Sequence, residues 1–127
     1  MSEIIFLNLD EINEIHELQV AEYGGLNGTR DSGLLTSAVE MPKASFGGEF
    51  LHEDIYEMAA AYLFHIVQNH HYLDGNKRVG LHAALVFLEL NHVVVEAPDE
   101  KLTALVLEVA QGHADKKQIT KFFKKYS

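Results

Sequence analysis

The chain has 127 residues, 47% of them hydrophobic, which indicates one globular domain with a single core over residues 1–127. A formal net charge of −9 argues against non-specific nucleic-acid binding, and the absence of cysteine excludes disulfides, thiolate metal sites and a cysteine nucleophile. No apolar run approaches the roughly 20 residues that span a bilayer, and the N-terminus lacks a secretory signal, so we expect a cytoplasmic protein without membrane contact.

The first part of the chain predicts two helices. Asn8 is suited to an N-cap, and Glu11 stands three residues later as its capping-box partner. Apolar residues then recur at helical spacing up to Tyr23, and the glycines at 24–25 end the helix. A second, shorter helix follows and is expected to end before Pro42, because the residue preceding a proline disfavours the helical conformation.

Residues 42–52 predict a loop with two glycines, 47–48, at its centre. We expect the aromatic rings of Phe46 and Phe50 to fix this loop to the core. A third helix is predicted over about 53–69, where apolar residues recur along one face.

The second half of the chain predicts three more helices. Residues 76–90 are apolar almost all round, which is typical of a helix in the centre of a bundle. The β-branched run 92–96 suggests a short hairpin with residues 4–6. Two further helices begin near residue 98 and after Asp115, and the last one places its lysines outward. The sequence therefore predicts an all-α bundle of about six helices with at most a short β element.

One short segment between the third and fourth helices, 70–78, concentrates reactive side chains beside a glycine. Gly75 lets the backbone approach a ligand closely. Asn76, Lys77 and Arg78 fall in the first turn of the fourth helix, where backbone N–H groups lack intrahelical partners and the helix dipole is positive. With two cationic side chains added, this turn is a candidate phosphate site.

Two other residues of this segment suit phosphoryl transfer. Asp74 stands next to the phosphate site, where a carboxylate can help to hold Mg²⁺ together with phosphate oxygens and water. His70 precedes it by four residues, and a neutral imidazole there can take the proton of an attacking hydroxyl. Arg30, one of only two arginines, and His82, one helical turn after Arg78, are candidates for additional walls of the site.

Other interpretations of these residues remain open at this point. Asp74 to Asn76 can be simply a turn with a helix cap, and Lys77 and Arg78 can be a solvated face. A zinc site involving His65 fits no common spacing and would be opposed by the nearby cations. His82 is equally consistent with core packing. Four other histidines are expected at the surface or at helix caps: His16, His52, His92 and His113.

The segment from His70 to Arg78 resembles the H-x-F-x-D-G-N-K-R signature of Doc (death-on-curing) proteins in the Fic/Doc superfamily. Similar flanking stretches are found at residues 6–9, 23–25, 28–35 and 85–91. The resemblance implies an all-α Fic fold. It also implies roles that agree with those above: His70 as the catalytic histidine, Asp74 as the Mg²⁺ ligand, and Gly75, Asn76, Lys77 and Arg78 as the turn that holds nucleotide phosphates.

Two departures from the most common Fic pattern, G-N-G-R-x-x-R, bear on the reaction. Lys77 replaces the second glycine and Leu81 replaces the last arginine. The resemblance then implies the Doc mode, in which the terminal phosphate of ATP occupies the anion site and is transferred. The expected activity is an ATP-dependent protein kinase that phosphorylates a threonine of translation elongation factor Tu and arrests translation.

The resemblance also implies a partner, a separate Phd-like antitoxin whose disordered segment folds onto the toxin. Two alternatives to the kinase remain at this point. One is a Fic-type enzyme that transfers AMP to a protein hydroxyl, and the other is a non-catalytic binding module that keeps the fold.

Overall fold

The computed structural model describes residues 3–24, 32–69 and 76–127. Within these ranges the chain forms six α-helices and one two-stranded antiparallel sheet: α1 (Leu9–Tyr23), α2 (Ser32–Glu40), β1 (Ser45–Phe46), β2 (Glu49–Phe50), α3 (Ile55–Asn69), α4 (Asn76–Leu90), α5 (Asp99–Ala110) and α6 (Lys116–Tyr126). The prediction of an all-α bundle with a short β element is confirmed. None of the helices in the described ranges has both the length and the apolar character needed to cross a membrane.

The predicted helix starts are set by local capping. The Asn8 side chain accepts a hydrogen bond from the Glu11 amide at 2.8 Å, and the Glu11 carboxylate accepts one from the Asn8 amide at 3.1 Å. Asp115 and Gln118 form the same reciprocal pair at the start of α6. Each box satisfies two backbone donors that a helix start leaves without an intrahelical partner. At the other end of α1, Gly24 has φ of +80°, which accounts for a glycine there.

Helix α3 is the centre of the bundle, and its closest neighbour is α4. A Cβ added at Gly80 of α4 would lie 2.8 Å from Cγ2 of Val67 and 3.2 Å from the carbonyl oxygen of Leu63, both on α3. Glycine at this position therefore lets the two helices pack closely. Because α3 ends at Asn69 and α4 begins at Asn76, this contact fixes the helix ends on either side of residues 70–75.

Side-chain hydrogen bonds attach the N-terminal segment to the bundle. The buried Tyr62 hydroxyl accepts a hydrogen bond from the Leu7 amide at 2.9 Å and donates one to the Leu7 carbonyl at 3.3 Å. The Asn91 side chain binds both the amide and the carbonyl of Ile5, each at 2.9 Å. The predicted hairpin between residues 4–6 and 92–96 is wrong, because Asn91 takes up the Ile5 backbone groups that a strand partner would need.

Residues 42–52 also differ from the expectation of a loop fixed to the core. They contain the β1–β2 hairpin, whose turn residues Gly47 and Gly48 have φ of +61° and +83°. Positive φ at both turn positions is what a two-residue hairpin of type I′ requires. Phe46 is 83% exposed, so its predicted anchoring is wrong. Phe50 is also exposed, although its ring centroid lies 5.5 Å from that of Phe6.

The histidines do not all lie where the sequence predicts. His92 and His113 are exposed, as expected. His16 is only 2% exposed, so its surface prediction is wrong. It lies four residues after the buried Ile12, on the buried face of α1. His52 is half-buried.

Candidate active site

The described ranges include only part of the predicted site. His70, Asp74, Gly75 and Arg30 lie outside them, so the roles assigned to these four residues stay predictions. Asn76, Lys77, Arg78 and His82 are described, and all four are in the first two turns of α4.

The first turn of α4 is strongly cationic. Lys77 and Arg78 are both exposed there, and the turn contains no acidic residue. Cations near a helix N-terminus oppose the helix dipole, at a cost of about 0.3–1 kcal/mol each. The backbone N–H groups of the same turn have no partner within the helix. An anion bound at this end of α4 would remove the unfavourable charge interaction and accept hydrogen bonds from the turn.

An aromatic ring at the end of α1 lies against Arg78. The guanidinium carbon of Arg78 is 4.6 Å from the centroid of the Tyr23 ring, within cation–π range. Tyr23 is the last residue of α1 and is 55% exposed. The contact restricts an otherwise mobile side chain, so the five N–H donors of the guanidinium are partly oriented before a ligand binds.

A cavity of about 300 Å³ opens beside this turn, between α4 and α5. Its lining combines the two cations with a hydroxyl and an apolar wall: Lys77, Arg78, Leu81, Thr103, Val106 and Leu107. The volume is at the lower end of the range of small-molecule pockets. The cavity therefore suits a ligand that has an anionic end and a less polar body.

His82 does not line this cavity, although it follows Arg78 by one helical turn and is half-buried. Its role as a wall of the site stays a prediction. Among the described residues, no group of three or more histidine, aspartate or glutamate side chains is arranged to hold a metal ion.

Four residues that contribute to the site were not predicted from the sequence: Tyr23, Thr103, Val106 and Leu107. Tyr23 was identified as the end of a helix and as part of a stretch that resembles Doc proteins, but not as a site residue. Thr103, Val106 and Leu107 were simply part of the fifth helix. The order of residues gives no signal that α5 lies against the first turns of α4. For Tyr23 the sequence does contain a weak signal of a second role. The glycine after it is enough to end the helix, so helix termination does not explain why the residue before it is aromatic.

Comparisons with known proteins agree with this geometry. The sequence profile of the Fic/DOC family matches residues 6–88, a range that includes all of α1 to α3 and most of α4. The chain is 33% identical over 104 residues to the protein named "Protein kinase doc" of Escherichia phage P1, an alignment covering 81% of this chain and 80% of that protein. It is 37% identical over 95 residues to "Toxin Doc" of Mycolicibacterium smegmatis, covering 73% of each.

The matched range, the extent of these alignments and the helical bundle with a cationic helix start all lead to one assignment. The chain belongs to the Fic/DOC family.

Proposed function

We propose that the chain is a Doc-like toxin that transfers the γ-phosphate of ATP to a threonine hydroxyl of a protein target. The names of its relatives, a protein kinase and a toxin, support this activity. The structural observation that carries it is the first turn of α4, where Lys77 and Arg78 stand at a helix start without an acidic residue. A nucleotide phosphate is the kind of anion that such a turn binds.

The reaction assigns roles to His70, Lys77 and Arg78. His70 takes the proton of the threonine hydroxyl while the hydroxyl oxygen forms a bond to the γ-phosphorus. The bond between that phosphorus and the β–γ bridging oxygen breaks, and ADP leaves. Lys77 and Arg78 neutralise the charge that is spread over the transferred group.

Two further residues complete the proposed site. Asp74 is the residue that would hold Mg²⁺, which supplies charge neutralisation at the phosphates when it is bound. Gly75 allows the backbone to approach the phosphates before α4 begins. The cavity lined by Leu81 and Thr103 offers room for the less charged part of the nucleotide.

Lys77 favours phosphate transfer over AMP transfer. The side chain is exposed at the mouth of the cavity, where the common Fic pattern has a glycine and thus open space. A lysine there places a full positive charge where the terminal phosphate would lie in the Doc mode. It also narrows the room available to an α-phosphate held for attack.

The proposed target is elongation factor Tu, and the proposed regulator is a Phd-like antitoxin. The proposal places the chain, its target and its antitoxin in the cytoplasm. The test is incubation of the purified chain with elongation factor Tu, ATP and Mg²⁺, followed by mass spectrometry of the target. We expect phosphate on a threonine and, for His70→Ala, a rate lower by about 10²–10⁴-fold or more. AMP on the target would support the adenylyl-transfer alternative. Growth arrest that persists in a folded His70→Ala variant would support the binding module.

A further inference from the structure

A second cationic surface lies on α6, away from the candidate active site. This helix carries five lysines and no acidic residue in a chain whose net charge is −9. Four of the five line a cavity of about 450 Å³ on the side that faces α3, and we name this cavity the lysine pocket. Its lining residues are His52, Glu57, Lys116, Lys117, Thr120, Lys121 and Lys124. It shares none of them with the cavity beside Arg78.

Lys116, which lines the lysine pocket, holds its positive charge against a neutral ring beside the pocket. Nζ of Lys116 lies 3.3 Å from Nε2 of His65, and both residues are half-buried. Burial first, then the charge of Lys116, lowers the pKa of His65 to about 4. The imidazole is therefore neutral at physiological pH and accepts a hydrogen bond from the ammonium without cancelling its charge.

Carboxylates of the pocket offset only part of this charge. Lys124 forms an ion pair with Asp54 at 3.2 Å, and Glu57 is the one acidic residue among the pocket's lining side chains. Within the described ranges, Lys116, Lys117 and Lys121 form no ion pair with a carboxylate. Four lining ammonium groups thus stand against Glu57 in the lining and Asp54 beside it, which leaves a net positive pocket in an acidic protein.

His52 gives an independent sign of a missing partner. Its Nδ1 atom is buried, and no hydrogen-bond partner for it is found in the described part of the chain. Burial and the charge of Lys116 lower the pKa of this ring, against weaker opposing effects of Glu57 and the Pro42 carbonyl. Buried polar atoms of proteins are nearly always hydrogen-bonded, so the described residues leave the polar groups of this lining residue incompletely satisfied.

We propose that the lysine pocket binds a small phosphate-bearing anion. Lysine ammonium groups act as strong point-charge donors to phosphate. The cavity has the size of a small-molecule site. A long polyanion such as duplex DNA would extend over the acidic remainder of the surface. Its phosphates would be repelled there, because salt screens charges effectively only beyond about 8 Å. An acidic peptide segment is less favoured because the lysine pocket offers no arginine fork for bidentate binding of carboxylates.

The test follows backbone and histidine-ring NMR signals while inorganic pyrophosphate is added without Mg²⁺ at constant ionic strength. The experiment uses Arg78→Gln, which weakens anion binding at the start of α4 and so separates the two sites. We expect saturable shifts at His52, His65 and residues 116–124, with a rise in the pKa of both rings. Parallel titration with ADP distinguishes the source of the phosphate. Tighter binding of ADP indicates a nucleotide, and equal binding indicates that phosphate alone is recognised.

Matched variants test whether the pocket itself is responsible. Lys117→Gln with Lys121→Gln removes two exposed lining charges and should weaken pyrophosphate binding about tenfold or more. Lys101→Gln with Lys125→Gln removes the same charge outside the pocket and should leave binding unchanged. Equal loss in both pairs, or no saturable shift at residues 116–124, would overturn the proposal. Binding of hexaglutamate at these residues without binding of pyrophosphate would also overturn it, in favour of an acidic protein segment.

Discussion

The buried hydroxyl of Tyr62 gives a sharp test of how the N-terminal segment is held. This hydroxyl accepts a hydrogen bond from the Leu7 amide at 2.9 Å and donates one to the Leu7 carbonyl at 3.3 Å, and both residues are at most 1% exposed. Tyr62→Phe keeps the ring, which packs against Phe87 with centroids 5.1 Å apart. It leaves the Leu7 N–H buried without this partner, at a cost of about 1–3 kcal/mol.

Urea unfolding followed by circular dichroism measures this loss. We expect the free energy of unfolding to fall by about 2 kcal/mol, a large part of the roughly 5–15 kcal/mol of an ordinary domain. The slope m should be unchanged, since the surface exposed on unfolding stays the same. Tyr56→Phe is the matched control, because the partner found for its hydroxyl in the described part of the chain is the exposed Ser127 Oγ, at 3.3 Å. Its effect should stay within about 0.5 kcal/mol.

The same hydroxyl predicts a loss of stability at alkaline pH. Burial raises the pKa of Tyr62 far above its usual value. The unfolded chain releases this proton at about pH 10 while the folded chain keeps it, so stability is lost as pH rises through that range. Tyr62→Phe should remove this part of the dependence. Equal destabilisation by Tyr56→Phe and Tyr62→Phe, or none by Tyr62→Phe, would refute the hydrogen-bonding account of this anchor.

Three further predictions concern the site and the packing that supports it. Tyr23→Leu should raise the KM for ATP by about 2–5-fold, because an exposed cation–π contact is worth about 0.5–1 kcal/mol. Tyr23→Phe keeps the ring over Arg78 and should match wild type. Equal KM values for wild type and both variants would contradict the contact. Gly80→Ala should lower the urea midpoint, because the new methyl group would lie 2.8 Å from Cγ2 of Val67. At an uncrowded helical position the same change raises the free energy of unfolding by about 1 kcal/mol. A higher midpoint would therefore contradict the close packing. In the folded chain the pKa of His65 is lowered to about 4 from the ordinary histidine value of about 6.5. The stability that depends on the neutral ring is therefore complete above about pH 6.5 and falls as the pH drops toward 4. Urea midpoints at these two pH values should differ less in His65→Gln than in wild type, and an equal difference would contradict the lowered pKa.

Local sequence signals predicted the helices well. The Asn8–Glu11 capping box, the end of α1 at Gly24 and the start of α6 after Asp115 depend on residues a few positions apart, so the sequence contains the whole cause. The apolar pattern of 76–90 predicted a helix in the centre of the bundle, but that central place belongs to α3, and α4 packs against it. Lys77 and Arg78 were predicted at a helix start because the apolar pattern begins directly after them.

Long-range contacts were beyond such reasoning. Tyr23 meets Arg78 across 55 positions, and the Asn91 side chain reaches Ile5 across 86. Where the sequence predicted a hairpin, the Asn91 side chain instead bonds the amide and carbonyl of Ile5. A side-chain amide can satisfy the same backbone groups as a neighbouring strand. The lysines of α6 were all expected outward, yet Lys116 is half-buried against His65 because the helix packs on α3 through that edge.

The central claim is that Lys77 and Arg78 hold the terminal phosphate of ATP for transfer. Its most direct measurement is the label found on elongation factor Tu after parallel reactions with γ-labelled and α-labelled ATP in the presence of Mg²⁺. The account predicts label from the γ position alone, and its loss in Arg78→Gln. Label from the α position, or none from either while the wild-type chain still arrests growth, would contradict it.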